Sequence, residues 1–509
     1  REYSIWGFFI PQRVQYNDSN QNGIADTVRM PFLSRIFSKD IGVTDTQRSF
    51  ESVQLELGFK GDLSESWGYE VFAQIGEVES IVSTNPLLIP SRIQQSLLLN
   101  SEGECVDPSN GCVPLNLWSD DIGPEAAEFI SYPRDSGKSI TTNEQNVFMS
   151  TLSGNTAGWF SLPGDPGPIG LVLGLEYLEI KSKIDSPEII EQQNFEGFAL
   201  APFSLDEKLD TTSLFAEAVI PLVSGKPGID FLEMDLGWRS SDHSRTGRDT
   251  TYKVALSYYP NPDLQFRLSY NKAMRSPAIN ELYRYAQTAG LVNDPCTQPD
   301  PIKQMDPANQ GEPSVFVPES PELDAACIAT GVPKENLYDF AYKELDPVRD
   351  LGGNPDLLPE DSKTYSMGFV WTPYALDGLS LSVDYFSVEI ENYIETSPVT
   401  VSALMLACYD GARGIGGPGS QACNSIRRDP EGRITSVFMG FQNLGLHKVQ
   451  GWDLNVDYGL EFLSGYLDIN YFATKINRRT ITDDTYGDVN YNCVGVFNGD
   501  CDTIIDYPV

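Results

Sequence analysis

Residues 363–394 read KTYSMGFVWTPYALDGLSLSVDYFSVEIENYI, and the first half alternates with a period of two. Tyr365, Met367, Phe369 and Trp371 share one face, and Thr364, Ser366, Gly368 and Val370 share the other. A turn containing Pro373, Asp377 and Gly378 follows, and Leu379, Leu381, Val383 and Tyr385 then resume the pattern against Ser380, Ser382 and Asp384. This is the signature of a β-hairpin with one apolar, aromatic-weighted face and one face of small polar groups. A sandwich strand with its apolar face inward fits, and so does a membrane-barrel strand with that face in lipid. After Tyr385 the apolar set changes parity to Phe386, Val388 and Ile390, which predicts either a bulge or the end of a membrane band.

The same signature recurs along the chain. Leu171, Leu173, Leu175 and Tyr177 alternate with Val172, Gly174 and Glu176, and Leu232, Met234, Leu236 and Trp238 oppose Glu233, Asp235, Gly237 and Arg239. Tyr252, Val254, Leu256 and Tyr258 are followed by Leu264, Phe266, Leu268 and Tyr270, and Trp452, Leu454, Val456 and Tyr458 complete the series. The opposite faces carry Glu, Asp, Arg, Lys, Asn and Gln at a density suited to a water-filled or plugged lumen. A sandwich would need many strands with a fully charged outer face.

Connections discriminate further. Short turns at GDLSESWG from Gly61, VSGKPGID from Val223 and YPNPD from Tyr259 alternate with long polar stretches at 82–143, 184–210, 276–361, 396–433 and 477 onward. Compact soluble domains seldom hold such stretches without structure. Tight turns on one side and long loops on the other are the pattern of an outer-membrane barrel. The reading is therefore all-β: a transmembrane antiparallel β-barrel, incomplete in residues 1–509, with about 14 to 16 strand candidates.

Composition bounds function. The 509 residues carry a formal charge of −37, eight Cys and two His, with a mean hydropathy of −0.26. Such an acidic excess argues against nucleic acid, which needs a basic footprint. No apolar run is long enough for a transmembrane helix, which leaves a barrel untouched because alternating strands hide from a sliding window. The chain opens on Arg1 and stops at Val509 in a loop-like stretch, which predicts a fragment.

The cysteines form four local couples, Cys105 with Cys112, Cys296 with Cys327, Cys408 with Cys423 and Cys493 with Cys501. All lie in the long loops, and their even number and spacing predict disulfides in an oxidising compartment. No couple has CxxC spacing and neither His is near one, so zinc is disfavoured. Asp18, Asn20, Asn22, Gly23 and Asp26 resemble the first part of a calcium loop, with oxygen donors at alternate positions. Its twelfth position would be Arg29 rather than a bidentate Glu, and a surface turn rich in Asn, Asp and Gly is the plain alternative. No other cofactor is expected.

Arg275 shares the parity of Gln265, Arg267, Ser269 and Asn271, which predicts a lumen salt bridge before a ligand contact. Residues 123–132, GPEAAEFISY, predict a short helix inside a loop, with Pro124 in its first turn. Catalysis has little support: His243 and His447 accompany no nucleophile motif, and the many carboxylates single out no acid and base pair.

A family resemblance rests on ordered pieces: NKAMRSPAINELY from Asn271, GGNPDLLPEDSKTYSMGFVW from Gly352, DYFSVEIENYI from Asp384 and NLGLHKVQGWDLNVDY from Asn443. With them go GCVPLNLWS from Gly111, AACIATGVP from Ala325, ACYD from Ala407 with Cys423, and IRRDPEGRI from Ile426. In that order they resemble the barrel region of proteobacterial TonB-dependent outer-membrane receptors. The resemblance implies a 22-stranded barrel with a plugged lumen, set in the outer membrane lipid of a Gram-negative bacterium. It implies active import of a scarce bulky nutrient, such as a ferric siderophore-like chelate, cobalamin or an oligosaccharide, with energy relayed by TonB, ExbB and ExbD. An N-terminal plug, its TonB-contacting segment and the last strands have no counterpart in residues 1–509. A passive porin-like channel and a secreted β-rich binding protein are the alternatives.

Overall fold

The computed structural model describes residues 5–9, 15–17, 27–29, 32–42, 45–117, 119–132, 137–187, 204–284, 287–289, 294–296, 320–338, 348–396, 401–409, 417, 419–462, 465–483 and 489–495. Thirteen strands form one sheet whose spatial order follows the sequence. They are β1 (Asp45–Ser64), β2 (Trp67–Asn85), β3 (Lys138–Asn155), β4 (Gly170–Asp185), β5 (Leu205–Lys226), β6 (Ile229–His243) and β7 (Gly247–Asn261). β8 (Leu264–Arg275), β9 (Glu360–Trp371), β10 (Leu379–Glu391), β11 (Leu446–Phe462), β12 (Gly465–Asp483) and β13 (Val489–Asn492) complete it. From β5 to β13 every neighbouring pair is antiparallel. This is the meander of an antiparallel β-barrel, and among the described residues no pairing joins its first strand to its last.

The registers turn the period-two pattern into continuous rows. Met234, Leu256, Leu268, Met367, Tyr385 and Trp452 lie side by side across six strands. One residue along, Glu233, Ser257, Arg267, Gly368, Asp384 and Asp453 form the matching row on the other face. The apolar row is open to the surroundings: Leu268 is 51% exposed and Met367 52%. A face of large apolar side chains left uncovered, opposite a charged face, is the inversion that lipid demands and water forbids.

Depth within that face is also ordered. On one side of Leu256, Leu268 and Met367 lie Val254, Tyr270 and Tyr365, and on the other the face stays apolar through Tyr258, Phe266 and Phe369 to Leu264, Trp371, Leu381 and Val456. Ring centroids of Tyr270 and Tyr365 lie 4.7 Å apart, and those of Tyr258 and Phe266 6.1 Å. Beyond the first aromatic row the same face becomes charged, with Lys272, Lys363, Glu389 and Lys448 aligned and Lys448 Nζ 2.9 Å from Glu389 Oε2. An aromatic row with charges beyond it marks one interface of a bilayer, and the apolar rows on its other side run into the membrane. The 22 residues of β5 would reach about 70 Å at about 3.3 Å each, while about 9–11 tilted residues cross a bilayer. The strands therefore project well past the membrane.

That banding explains the parity change after Tyr385. The register of β10 runs unbroken through Tyr385 and Phe386 against both neighbours, so there is no bulge in this strand. The outward residues beyond it are Ser387, Glu389 and Glu391 because the membrane band has ended, and Phe386, Val388 and Ile390 face inward. The local bulge sits one strand further on, between Gln450 and Gly451 where β11 meets β12.

Packing divides the chain into two units. The first comprises Arg1–Val53, Glu77–Asn143 and Ser182–Asp206. Its loop after β2 has a small core in which Leu88, Ile93, Leu115, Phe129 and Ile130 are buried together with Phe37 from before β1. Two helices flank that core, α1 (Pro90–Leu97) and α2 (Pro124–Ile130), each opening on a proline that needs no backbone donor there. The second unit comprises Gln54–Gly76, Glu144–Lys181 and Glu207–Val509, and it holds the features developed below. In both, the described parts of the long connections expected as polar loops are folded. Their apolar residues are too short-range and irregular to give a period, but disulfides and buried clusters hold them together.

Candidate functional site

The inner face is a ladder of cross-strand ion pairs. Arg239 on β6 reaches Glu176 on β4, and its Nη2 also donates to Ser213 Oγ at 2.9 Å. Lys253 on β7 pairs with Asp235 on β6. Arg267 on β8 spans β9 entirely, its Nε donating to Asp384 Oδ1 on β10 at 2.7 Å. It can do so because residue 368 between them is glycine: a Cβ there would stand 2.1 Å from Asp384 Oδ1 and 2.4 Å from the Val383 carbonyl oxygen. Asp453 and Asp457 on β11 accept from Thr474 Oγ1 at 2.6 Å and Asn455 Nδ2 at 2.7 Å. Charged and hydroxyl groups tied to one another in this way make a wall that is hydrated and rigid, able to line an aqueous or plugged lumen.

At the rim the predicted lumen salt bridge of Arg275 is found. Its guanidinium grips Glu360 with Nε to Oε2 at 2.7 Å and Nη2 to Oε1 at 2.8 Å, while Nη1 donates to Glu281 Oε2 at 2.9 Å. Glu360 is buried, and its Oε1 also accepts the Ile394 backbone N–H at 2.8 Å. Glu281 belongs to α3 (Ile279–Tyr283), and its Oε2 accepts the Ala278 N–H that opens that helix. One arginine thus ties the last residue of β8 to the first of β9 and, through Glu281 and Glu360, to the starts of the loops after β8 and β10. Leu282, Leu357 and Ile394 pack beneath it.

Above the rim the loop from β8 to β9 and the loop from β10 to β11 build one core. The first contributes α4 (Pro321–Ala329), whose N-cap Ser320 accepts the Leu323 N–H and whose first turn holds Pro321, Glu322 and Asp324. The second contributes α5 (Val401–Tyr409) and α6 (Gln421–Asn424). Leu323, Cys327, Val332, Leu404, Met405, Cys408, Ala422 and Val437 are among the residues buried together. A four-stranded sheet crosses between the loops, with Val348–Asp350 running parallel to Ser436–Phe438.

The centre of this core is ionic. The Arg428 side chain is 2% exposed, with Nη1 2.5 Å from Asp294 Oδ2 and Nη2 2.8 Å from Asp294 Oδ1. Nη2 also donates to Tyr409 Oη at 2.9 Å, and Nη1 to the Gly432 carbonyl at 2.6 Å. Burial opposes the charge on Arg428, but the Asp294 carboxylate more than offsets it and holds the guanidinium protonated more firmly than usual. Burial pushes the Tyr409 phenol up against the opposing pull of Arg428. Burial would raise Asp429 next door, yet the Arg433 backbone N–H and guanidinium bring it below the usual range.

Three cysteine couples are bonded within their own loops, Cys105 to Cys112, Cys296 to Cys327 and Cys408 to Cys423. Cys493 is also disulfide-bonded, while Cys501 lies outside the described residues. So do Asp18, Asn20, Asn22, Gly23 and Asp26 of the calcium-like stretch. Among the described residues no group of three or more His, Cys, Asp or Glu side chains could hold a metal ion. His243 bonds Thr211 Oγ1 through Nδ1 at 2.8 Å, and His447 lies edge-on to Tyr393 with centroids 5.0 Å apart. The Arg428 and Asp294 pair escaped sequence reading because 134 residues separate the partners. Only the DPEGR turn was legible, through Asp429 accepting the Glu431 and Arg433 N–H groups.

Apolar band, girdles, charged inner wall and folded loops together define a membrane-spanning β-barrel of the outer-membrane class. The family described as TonB dependent receptor-like, beta-barrel, matches residues 14–495, and the chain belongs to that family, whose members are Gram-negative outer-membrane barrels of receptor rather than enzyme type. Among solved structures, the siderophore receptor PirA from Acinetobacter baumannii is similar at 14% identity and TM-score 0.47, over 86% of this chain and 46% of that one. A variant of the ferric enterobactin receptor PfeA from Pseudomonas aeruginosa gives 14% and 0.44, over 86% and 44%. The RagAB peptide transporter gives 13% and 0.44, over 88% and 38%. The chain thus spans less than half the length of each of these three structures. No curated protein sequence matches the chain.

Proposed function

We propose that the chain is the barrel region of an outer-membrane receptor that captures a scarce, bulky nutrient and imports it with energy relayed by TonB, ExbB and ExbD. Family membership over residues 14–495 is the observation that carries the reading. The inner wall supports it: its charges are tied in pairs between strands, which suits a lumen holding a plug better than one kept open for free diffusion. The plug and the TonB-contacting segment would lie outside residues 1–509. The ligand would be a ferric siderophore-like chelate, cobalamin or an oligosaccharide, met first by the folded loops above the rim.

The test uses the full-length gene in its own host. Growth on each candidate nutrient as sole limiting source, with and without the gene, identifies the ligand. Uptake of that ligand is then compared in strains with and without TonB. Gene-dependent uptake that persists undiminished without TonB would sink active import and leave the passive channel.

A further inference from the structure

We infer that the loop from β8 to β9 and the loop from β10 to β11 act as one preassembled cap, coupled through the Arg428 and Asp294 clasp, and not as two separately moving flaps. The bonds between the loops run from tip to rim. At the tip, Asn336 Nδ2 of the first loop donates to the Glu431 carbonyl of the second at 2.8 Å. There, too, a Cβ on Gly432 would stand 2.9 Å from Pro333 Cδ and 3.0 Å from Val332 Cα, so the two backbones touch. In the middle lie Arg428 with Asp294, and the Tyr409 hydroxyl 2.9 Å from Thr330 Oγ1. Because Thr330 donates its own hydroxyl proton to the Ala326 and Cys327 carbonyls, Tyr409 is the donor to Thr330. Toward the rim, Met439 N donates to the Asp350 carbonyl at 2.7 Å, Phe441 N to Gly352 at 3.2 Å, and Asn443 Nδ2 to Leu358 at 2.9 Å.

The chemistry of the clasp makes separation costly. Parting the loops would separate the buried Arg428 guanidinium from the Asp294 carboxylate that offsets its burial. Each loop is also stiffened within itself, by Cys296–Cys327 on the first and Cys408–Cys423 on the second. Motion that preserves all of these contacts moves both loops together. This coupling does not depend on the importer reading, since it concerns only how the loops are joined.

Hydrogen exchange on the full-length protein in detergent micelles tests it. Arg428→Met lies on the second loop and takes the guanidinium away from Asp294 on the first. If the loops are one cap, amides in Pro321–Ala329 of the first loop and in Val401–Tyr409 of the second should both exchange faster, by about 100-fold, while Leu264–Arg275 is unchanged. The double variant Arg428→Met with Asp294→Asn removes both charges and should recover most of the protection in both loops. Faster exchange in Val401–Tyr409 with Pro321–Ala329 still protected would overturn the coupling. Should Arg428→Met fail to assemble, Asp294→Asn probes the clasp from the other loop: faster exchange in Val401–Tyr409 supports one cap, and no change there overturns it.

Discussion

Replacing Leu268 by arginine tests the orientation of the whole sheet with one side chain. Leu268 lies in the aliphatic row between two aromatic rows, on the face whose side chains are open to the surroundings. If that face meets lipid, residue 268 lies within the apolar band, where an arginine costs up to about 2–4 kcal/mol toward the midplane. At about 1.4 kcal/mol per factor of ten, the assembled fraction should fall by up to about 30- to 700-fold relative to the unassembled chain. The cost is graded by depth. Tyr270→Arg, in the aromatic row beside the charged one, should cost about 0–1 kcal/mol near the interface. Gln265→Arg points into the charged lumen and should cost less than Leu268→Arg. Denaturant titration of the full-length protein in lipid bilayers, read by the heat-sensitive gel mobility of folded barrels, measures the series. Equal penalties for Leu268→Arg and Gln265→Arg, or a larger one for Tyr270→Arg than for Leu268→Arg, would refute the assigned faces.

The other predictions concern the loops. Cys296→Ser with Cys327→Ser opens a closure of 31 residues, against 7 for Cys105 and Cys112, and each bridge contributes roughly 2–4 kcal/mol to loop order. Limited proteolysis should cut the first loop faster while barrel assembly on gels is unchanged. Gly432→Ala forces a side chain onto a backbone at φ 95° and against Val332, so the cap should lose about 1–3 kcal/mol, read as faster amide exchange in Val401–Tyr409. Acid should loosen the turn at Asp429. Because its carboxylate is held below the ordinary value, it stabilises the fold above that value, and the contribution is lost as pH falls through the lowered one. Exchange at the turn, corrected for intrinsic rates, should therefore stay protected down to about pH 4 and rise below it, whereas Asp429→Asn should abolish the transition.

How much of this was legible in the sequence depended on the range of the interaction that decided each part. The strands from β6 to β11 were readable because a residue and its neighbour two along face the same solvent, whatever the partner strand is. The membrane reading followed because the outer face was apolar where a sandwich would have needed charge. Depth was not readable from one strand: Lys363 looks like a stray polar residue until the register aligns it with Lys272, Glu389 and Lys448. β1 to β3 carry a weaker period than the strands after them because glycines and glutamates interrupt their apolar positions, as in the Gly76 to Glu79 stretch of β2.

The loops failed for a different reason, and it is the same reason that makes them one body. The described side chains of α5, Val401, Leu404, Met405, Ala407, Cys408 and Tyr409, are all buried, and VSALMLACY is apolar almost throughout, so it carries no amphipathic period to read. Its neighbours come from another loop, and nothing local in either segment encodes the encounter. What the sequence did carry was chemistry without address: Asp294 two residues before Cys296, Arg428 five after Cys423, and Gly432 in a tight turn. Each of these is ordinary alone. Brought together, the acid and the base neutralise each other in a core too small to exclude water by apolar area alone, the disulfides limit how far each loop can unravel, and the glycine lets the two backbones meet. A chain with this strong an acidic excess gains most from such a pairing, because every carboxylate buried against a cation is one fewer repelling its neighbours at the mouth of the barrel.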